Sequence, residues 1–254
     1  MRLSDTDIES LERAIVASVA PERAVEIAGW LVPLDPGAIG RARSAVPLAH
    51  DADPGVVGDI EQIYLAARLP PAFRIAETET LGPVREALAA RGYAPATPTI
   101  MKLGAPAGCV ALSDDPAELR ETPGAAWIAC FAGEGFDPQE AESRIRNLMR
   151  SPGALFAAVH GCGRTLAVGV VSFGRGWAGV HGMRTAPDQR RKGHASRILA
   201  AIGRAAGERG IDRAYLQVVE DNPARSLYRA AGFTPAWRYH YWRKGEATSP
   251  APSG

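Results

Sequence analysis

The chain has 254 residues, 46% of them hydrophobic and 22% charged, with 29 Lys and Arg against 28 Asp and Glu. That length supports a core without disulfide or metal staples, and that composition excludes an intrinsically disordered chain. A formal net charge of +1 gives no global attraction to nucleic acid or an anionic membrane, so any bound anion has to be held locally.

In chain order, Ile8, Leu11, Ile15 and Val19, then Val25, Ile27 and Ala28, recur at helical spacing. They predict helix over residues 1–31, with Ser4 or Asp5 as N-cap and a second segment starting at Pro21. Val32 to Gly58 is rich in Pro, Gly and Asp and reads as loop and short pieces. A helix from Ile60 to Leu69 stops at Pro70-Pro71, a strand runs from Ala72 to Ile75, and a helix from Gly82 to Arg91 closes on Gly92. Gly104 to Gly108 has the small, turn-forming composition of a linker and marks a boundary. Beyond it, Val110 begins a short strand and Pro138 to Arg150 forms a helix. Ala154–His160, Thr165–Phe173 and Trp177–Thr185 are three apolar runs joined by short glycine turns, an antiparallel meander. A helix from Gly193 to Arg209, a strand from Arg213 to Val219, a helix from Ala224 to Ala231 and a strand near Trp237 to Trp242 complete a mixed α/β layer. A weak repeat lays Ala90-Arg91-Gly92-Tyr93-Ala94-Pro95-Ala96 over Ala230-Ala231-Gly232-Phe233-Thr234-Pro235-Ala236, a shared helix C-cap followed by an aromatic anchor.

The longest stretch free of Asp, Glu, Lys and Arg, Ser151 to Gly163, falls short of the ~20 apolar residues of a spanning helix, so no membrane span is expected. The N-terminus lacks the pattern of a secretory signal. Cys109, Cys130 and Cys162 form no Cys-x-x-Cys, which argues against a zinc site or a disulfide framework and for reduced thiols in a cytoplasmic protein.

Chemistry concentrates in Thr185-Ala186-Pro187-Asp188-Gln189-Arg190-Arg191-Lys192-Gly193-His194-Ala195-Ser196, between a strand and a long helix. Free amides at a helix N-terminus, with Gly193 permitting close approach, make an anion cradle, and Arg190, Arg191 and Lys192 add charge-assisted donors. Neither a Walker nor a Rossmann glycine pattern is present. A second segment, Asn222-Pro223-Ala224-Arg225-Ser226-Leu227-Tyr228-Arg229-Ala230-Ala231-Gly232-Phe233, follows a strand, with Asn222 placed to cap the next helix.

Together these segments resemble the GCN5-related N-acetyltransferase superfamily. The Arg190-x-x-Gly193-x-Ala195 element matches the family's pyrophosphate loop for coenzyme A, and Asn222 through Phe233 matches its Asn-x-x-Ala-x-x-Leu-Tyr-x-x-x-Gly-Phe element. The resemblance implies an α/β (α+β) fold with a mixed, mostly antiparallel central sheet flanked by helices. It covers residues 106–246 as a catalytic domain; residues 1–105 read as a degenerate copy in tandem or a helical domain, and 247–254 as a disordered tail.

It further implies transfer of acetyl from acetyl-CoA to a primary amine of a small molecule or a peptide N-terminus, by direct attack in a ternary complex. Gly179–Thr185 and Arg213–Val219 would splay to admit the pantetheine arm. The cofactor set is Met183, Arg184, Thr185, Arg190, Arg191, Lys192, Gly193, His194, Ala195, Ser196, Asn222 and Tyr228, with backbone amides around Gly182, Met183 and Thr185 polarising the thioester carbonyl. Tyr228 matches the general acid. Gly179 stands where many relatives carry Glu, so His181 on the same strand face is the candidate base; a water chain ending on Glu220 or Glu134 is the alternative. Trp127, Phe131, Phe136, Trp177, Tyr239, Tyr241 and Trp242 are either acceptor-cleft walls or plain core. The expected partners are an amine or peptide acceptor, with no nucleic acid and no membrane, in a monomer or homodimer. The rival reading is a non-catalytic acyl-CoA-binding sensor.

Overall fold

The computed structural model describes residues 3–133, 135 and 137–245; the tail expected to be disordered, and Glu134 and Phe136, lie outside the described residues. Helix α1 (Asp5–Ala17) is started by Ser4, whose hydroxyl accepts the Asp7 N–H at 3.2 Å while the Asp7 carboxylate accepts the Ser4 N–H at 3.1 Å. This reciprocal capping box selects Ser4 over Asp5 as the cap. The helix ends at Ala17, and residues 18–31, expected to be helical, form instead the hairpin β1 (Arg23–Ile27) and β2 (Trp30–Leu34). The reason is Ala28-Gly29, with φ of 44° and 78°, the two positive angles of a tight hairpin turn; Val25 and Ile27 are spaced for a strand as well as for a helix.

The hairpin joins β3 (Val46–Pro47) in a small sheet, and α2 (Val57–Ala66), β4 (Ala72–Ala76) and α3 (Gly82–Ala90) follow close to expectation. Strand β5 (Ala94–Gly104) runs into α4 (Pro106–Val110), where a linker and the start of a strand were expected. Glycine serves packing there rather than flexibility: a Cβ on Gly104 would lie 3.0 Å from the Phe233 ring, and one on Gly108 only 2.3 Å from the Ala231 carbonyl oxygen. The next strand is β6 (Glu118–Arg120), followed by α5 (Ala125–Phe131), which lacks a readable period, and α6 (Pro138–Arg150), capped by Asp137.

Strands β7 (Leu155–Gly161), β8 (Arg164–Gly174) and β9 (Trp177–Thr185) form the expected antiparallel meander. Helix α7 (His194–Glu208), strand β10 (Arg213–Val219), helix α8 (Arg225–Ala230) and strand β11 (Thr234–Arg243) complete the chain. One eight-stranded sheet, ordered β4-β11-β5-β10-β9-β8-β7-β6, is antiparallel except for β9 beside β10. Strand β11 therefore sits between β4 and β5, and β5 between β11 and β10, so the ladder runs unbroken across residue 105. The helix ends before β5 and β11 share one cap: Gly92 and Gly232 have φ of 82° and 81°, and Tyr93 and Phe233 each donate back to the residue five before, at 3.1 and 2.9 Å.

Alternation along the strands divides the core. Ala178, Val180, Ala214, Leu216 and Val218 face α7 and α8, whereas Trp177 and Tyr215 face α1 on the other side, where α5 and α6 also pack. On that side the fully buried Arg74 of β4 donates to Glu12 of α1 at 2.6 Å, pinning the N-terminal helix to the sheet. Among the described residues no helix is long and apolar enough to cross a membrane.

The two glycines of α7 give a test of packing against propensity. A Cβ on Gly203 would lie 2.5 Å from the Pro106 carbonyl oxygen of α4, whereas Gly207 has nothing within 4 Å. Gly207→Ala is expected to raise unfolding free energy by about 0.5–1 kcal/mol and Gly203→Ala to lower it by about 1–3 kcal/mol, read by urea denaturation.

Candidate active site

Strands β9 and β10 pair in parallel only from Trp177/Arg213 to Val180/Leu216. Beyond that point β9 stays bonded to β8, and Gln217, Val218 and Val219 stay bonded to β5, so a gap opens between two strands each held from its other side. The register shows why: Val170 faces His181 but Val168 faces Arg184, so Gly182 and Met183 together oppose Gly169. This bulge bends β9 away. Gly182 takes φ 55°, and Gly169 is bare because a Cβ there would lie 2.6 Å from Ile198 and 2.8 Å from the Met183 sulfur.

The bent strand delivers the chain through a 3-10 turn at Pro187–Gln189 to Arg191 and Gly193, with φ of 62° and 81°, and into α7. The loop ends in Arg197 N–H donating to the Gly193 carbonyl at 3.2 Å, so the N–H groups of His194, Ala195 and Ser196 precede the helical ladder. Arg190, Arg191 and Lys192 are exposed around them, and Lys192 Nζ donates to Gln189 Oε1 at 3.2 Å. A left-handed residue, a glycine and free amides at a helix start, ringed by cations, are suited to a diphosphate. Of the other predicted contacts, Met183 packs into the α7 core, while Arg184 donates to the Gly133 carbonyl at 2.9 Å and Thr185 ends β9. Arg184 thereby lines a cavity of about 640 Å³ beside α5, bounded also by Pro187 and Cys130.

Tyr228 and His181 lie on opposite faces of the sheet. Tyr228 is buried with Val180, Ile198 and Phe233, and burial pushes its phenol up to about 12, so it holds its proton at neutral pH. Asn222 is not the α8 cap: that position is Ala224, and the Asn222 carboxamide oxygen accepts the Ala224 N–H at 2.8 Å, bracing the turn just before it.

His181 is buried, with Arg41 Nη1 3.1 Å from its Nδ1 and Ser172 Oγ 2.8 Å from its Nε2. Arginine only donates, so Nδ1 is the acceptor and Nε2 carries the proton toward Ser172. Burial, then the Arg41 charge, holds the imidazole well below its ordinary 6.5. His181 thus offers no free lone pair to a substrate. Gly179 leaves no room for a carboxylate either, since a Cβ there would lie 2.4 Å from the Tyr215 hydroxyl and 2.6 Å from His181 Nε2. Of the two alternative bases, Glu220 is hydrogen-bonded to Arg238 and Glu134 lies outside the described residues.

A second cavity, about 880 Å³, opens on the His181 side of the gap, walled by Gln217 and Val219 of β10, Thr99 of β5 and Tyr239 and Tyr241 of β11. Of the aromatic candidates among the described residues, only these two tyrosines border it. Trp127 stacks on Phe131 at 5.1 Å and donates to the Ala157 carbonyl, Trp177 donates to Ser10, and Trp242 packs in the N-terminal core, so these are core side chains. Its remaining wall is formed by the start of α6 and by the 36–43 loop, whose Arg41 and Arg43 the sequence reading missed. No local signal marks them: they sit in a Gly- and Pro-rich stretch that reads as loop.

A parallel strand pair opening over a basic anion cradle, on a mostly antiparallel sheet flanked by helices, defines an acetyltransferase of the GCN5-related superfamily. A family model described as "Probable histone acetyltransferase Rv0428c C-terminal" matches residues 5–242, and the chain belongs to that family. The chain is 26% identical over 242 residues to an uncharacterized N-acetyltransferase, YobR, of Bacillus subtilis (strain 168), covering 92% of this chain and 98% of that protein. A GCN5-related N-acetyltransferase from Kribbella flavida shares the fold at TM-score 0.71 and 17% identity over 97% of each chain. A tandem protein of the same superfamily from the clavulanic acid biosynthesis pathway does so at TM-score 0.59 and 14% identity, over 97% of this chain and 98% of that one.

The neutral state of His181 has a measurable consequence. Unfolded, the imidazole takes up a proton below about 6.5; folded, it does not, so the native protein binds fewer protons and stability falls as pH drops through that value. His181→Gln, whose amide can satisfy both partners, is expected to reduce the slope of unfolding free energy between pH 6.5 and 5 by up to about 1.4 kcal/mol per pH unit in denaturant titrations.

Proposed function

We infer that the protein moves an acetyl group from acetyl-CoA to a primary amine of a small molecule or peptide N-terminus, by direct attack in a ternary complex. The observation that carries this reading is the gap past Val180 and Leu216 together with the cradle that follows it directly at Arg190–Ser196. The bound donor would supply an activated acyl thioester. The β10-facing edge of β9, His181 to Thr185, has no ladder partner and would take a pantetheine arm as a pseudo-strand. Amides of His194, Ala195 and Ser196, with Arg190, Arg191 and Lys192, would hold the diphosphate, and Tyr228 keeps a proton for the departing thiolate. The acceptor would enter from the His181 face, opposite Tyr228.

The N-terminal half is read as a degenerate copy, supported by the shared caps at Gly92 and Gly232 and by the order β4-β11-β5-β10, in which each half's last strand lies in the middle. Cys109, Cys130 and Cys162 are unpaired, which supports a reducing, cytoplasmic setting.

Acetyl-CoA at ~100 times its dissociation constant should stabilise the wild-type protein by about 2.7 kcal/mol, a visible rise in Tm. Arg191→Ala with Gly193→Glu should abolish that rise; an unchanged rise would remove the cradle from the site. Tyr228→Phe is expected to lower kcat by about 10²- to 10⁴-fold while leaving the Kd for acetyl-CoA within about twofold. Because neither Gly179 nor His181 supplies a base, the sensor reading keeps one supporting observation, and it predicts tight acetyl-CoA binding with no amine-dependent thiol release from the wild type.

A further inference from the structure

The 880 Å³ cleft beside the gap is strongly unbalanced in charge: five arginines and two carboxylates border it. Both carboxylates already have work. Asp137 Oδ1 accepts the N–H groups of Gln139 and Glu140 at 2.9 Å each, and Glu140 pairs with Arg144 at 3.5 Å. Arg146 is paired with Glu142 outside the cleft. Arg41 and Arg43, half-buried on the 36–43 loop, have no carboxylate within ion-pair distance among the described residues. The nearby acid, Asp35, is spent on Arg150 at 2.7 Å, Asn147 at 3.1 Å and the N–H groups of Glu22 and Gly37.

The loop that carries these two cations is held in place. The Ala38 N–H donates to Ser143 of α6 at 3.0 Å, Gly37 lies where a Cβ would be 2.5 Å from Asp35, and Gly40 presses on Tyr241 with room for no Cβ. Arg41 commits Nη1 to His181, and both Arg41 and Arg43 line the cleft. Two preorganised guanidinium groups, partly withdrawn from water and lacking a counter-ion, form a receptor for a planar anion.

We propose that the acceptor is an amine that also bears a carboxylate, of the amino-acid class, and that Arg41 and Arg43 bind this carboxylate while its amine faces the gap between β9 and β10. This rests on the acetyl-transfer reading above and narrows its acceptor. The same charge rejects a lysine-rich tail, whose cations would meet the arginines unscreened.

The test is a thermal-shift and calorimetric titration of the CoA-saturated protein with the standard amino acids, their carboxamides at matched ionic strength, and a lysine-rich peptide. The expected result is that at least one free acid binds about 10-fold or more tighter than its amide. Arg43→Gln should weaken that binding about 10- to 100-fold, Arg43→Lys should restore part of it, and the Kd for CoA should stay within about twofold. Amides that bind as well as the acids, a lysine-rich peptide that binds more tightly than any acid, or acid binding unchanged in Arg43→Gln would each overturn the proposal. No response to CoA itself would instead defeat the acetyl-transfer reading, which separates the two failures. Arg41→Gln and Arg43→Gln proteins that keep the wild-type Tm without ligand show that lost binding is not lost folding.

Discussion

The parting of β9 and β10 is the constraint on which the rest of the molecule depends. A parallel pair that stops after four residues leaves backbone donors and acceptors without a ladder, and an unmade hydrogen bond in a dry interior costs roughly 1–3 kcal/mol. The fold tolerates the gap because each strand keeps one complete neighbour, β8 on one side and β5 on the other. Local shape does the rest: Gly182 turns at positive φ, and Gly169 gives up its side chain so that Met183 and Ile198 can close over the bulge. What remains is an open edge inside a sheet, which in most proteins invites pairing and here is aligned with an anion cradle one turn further along the chain.

The gap also separates two chemical environments. On one face, Tyr228 sits in an aliphatic core that keeps its phenol protonated. On the other, His181 is neutral because burial and Arg41 both oppose its protonation, and Arg41 comes from the half of the chain that has no cofactor motif. The N-terminal half therefore lines the candidate site. Glu12 and Arg74 fasten α1 to β4, α1 covers Trp177 and Tyr215, and the 36–43 loop closes the cleft against Tyr241.

Some misreadings share one physical origin. Val25 and Ile27 fit two periods at once, and the conflict is resolved by the Ala28-Gly29 turn and by a partner strand, β2. Gly104 and Gly108 have linker composition, yet the space they leave is taken by Phe233 and the Ala231 carbonyl, from a segment more than a hundred residues away in sequence. A glycine kept for close packing and a glycine kept for freedom look the same until the neighbour is known.

The sequence by itself determined the segments whose conformation is contiguous: the start of α1, the span of α6, the meander, the turn at Gly193 into α7, and the helix–glycine–aromatic unit at α8. Backbone dihedral preference, capping and apolar period act over a few residues, so they can be read in one pass along the chain. Only the tertiary structure decided the strand order β4-β11-β5-β10, the protonation state of His181 and the placement of Arg41 and Arg43 beside the gap. Each of these depends on burial and on partners far apart in sequence, 140 residues in the case of Arg41 and His181, and no local pattern encodes what a side chain will meet once the sheet has closed.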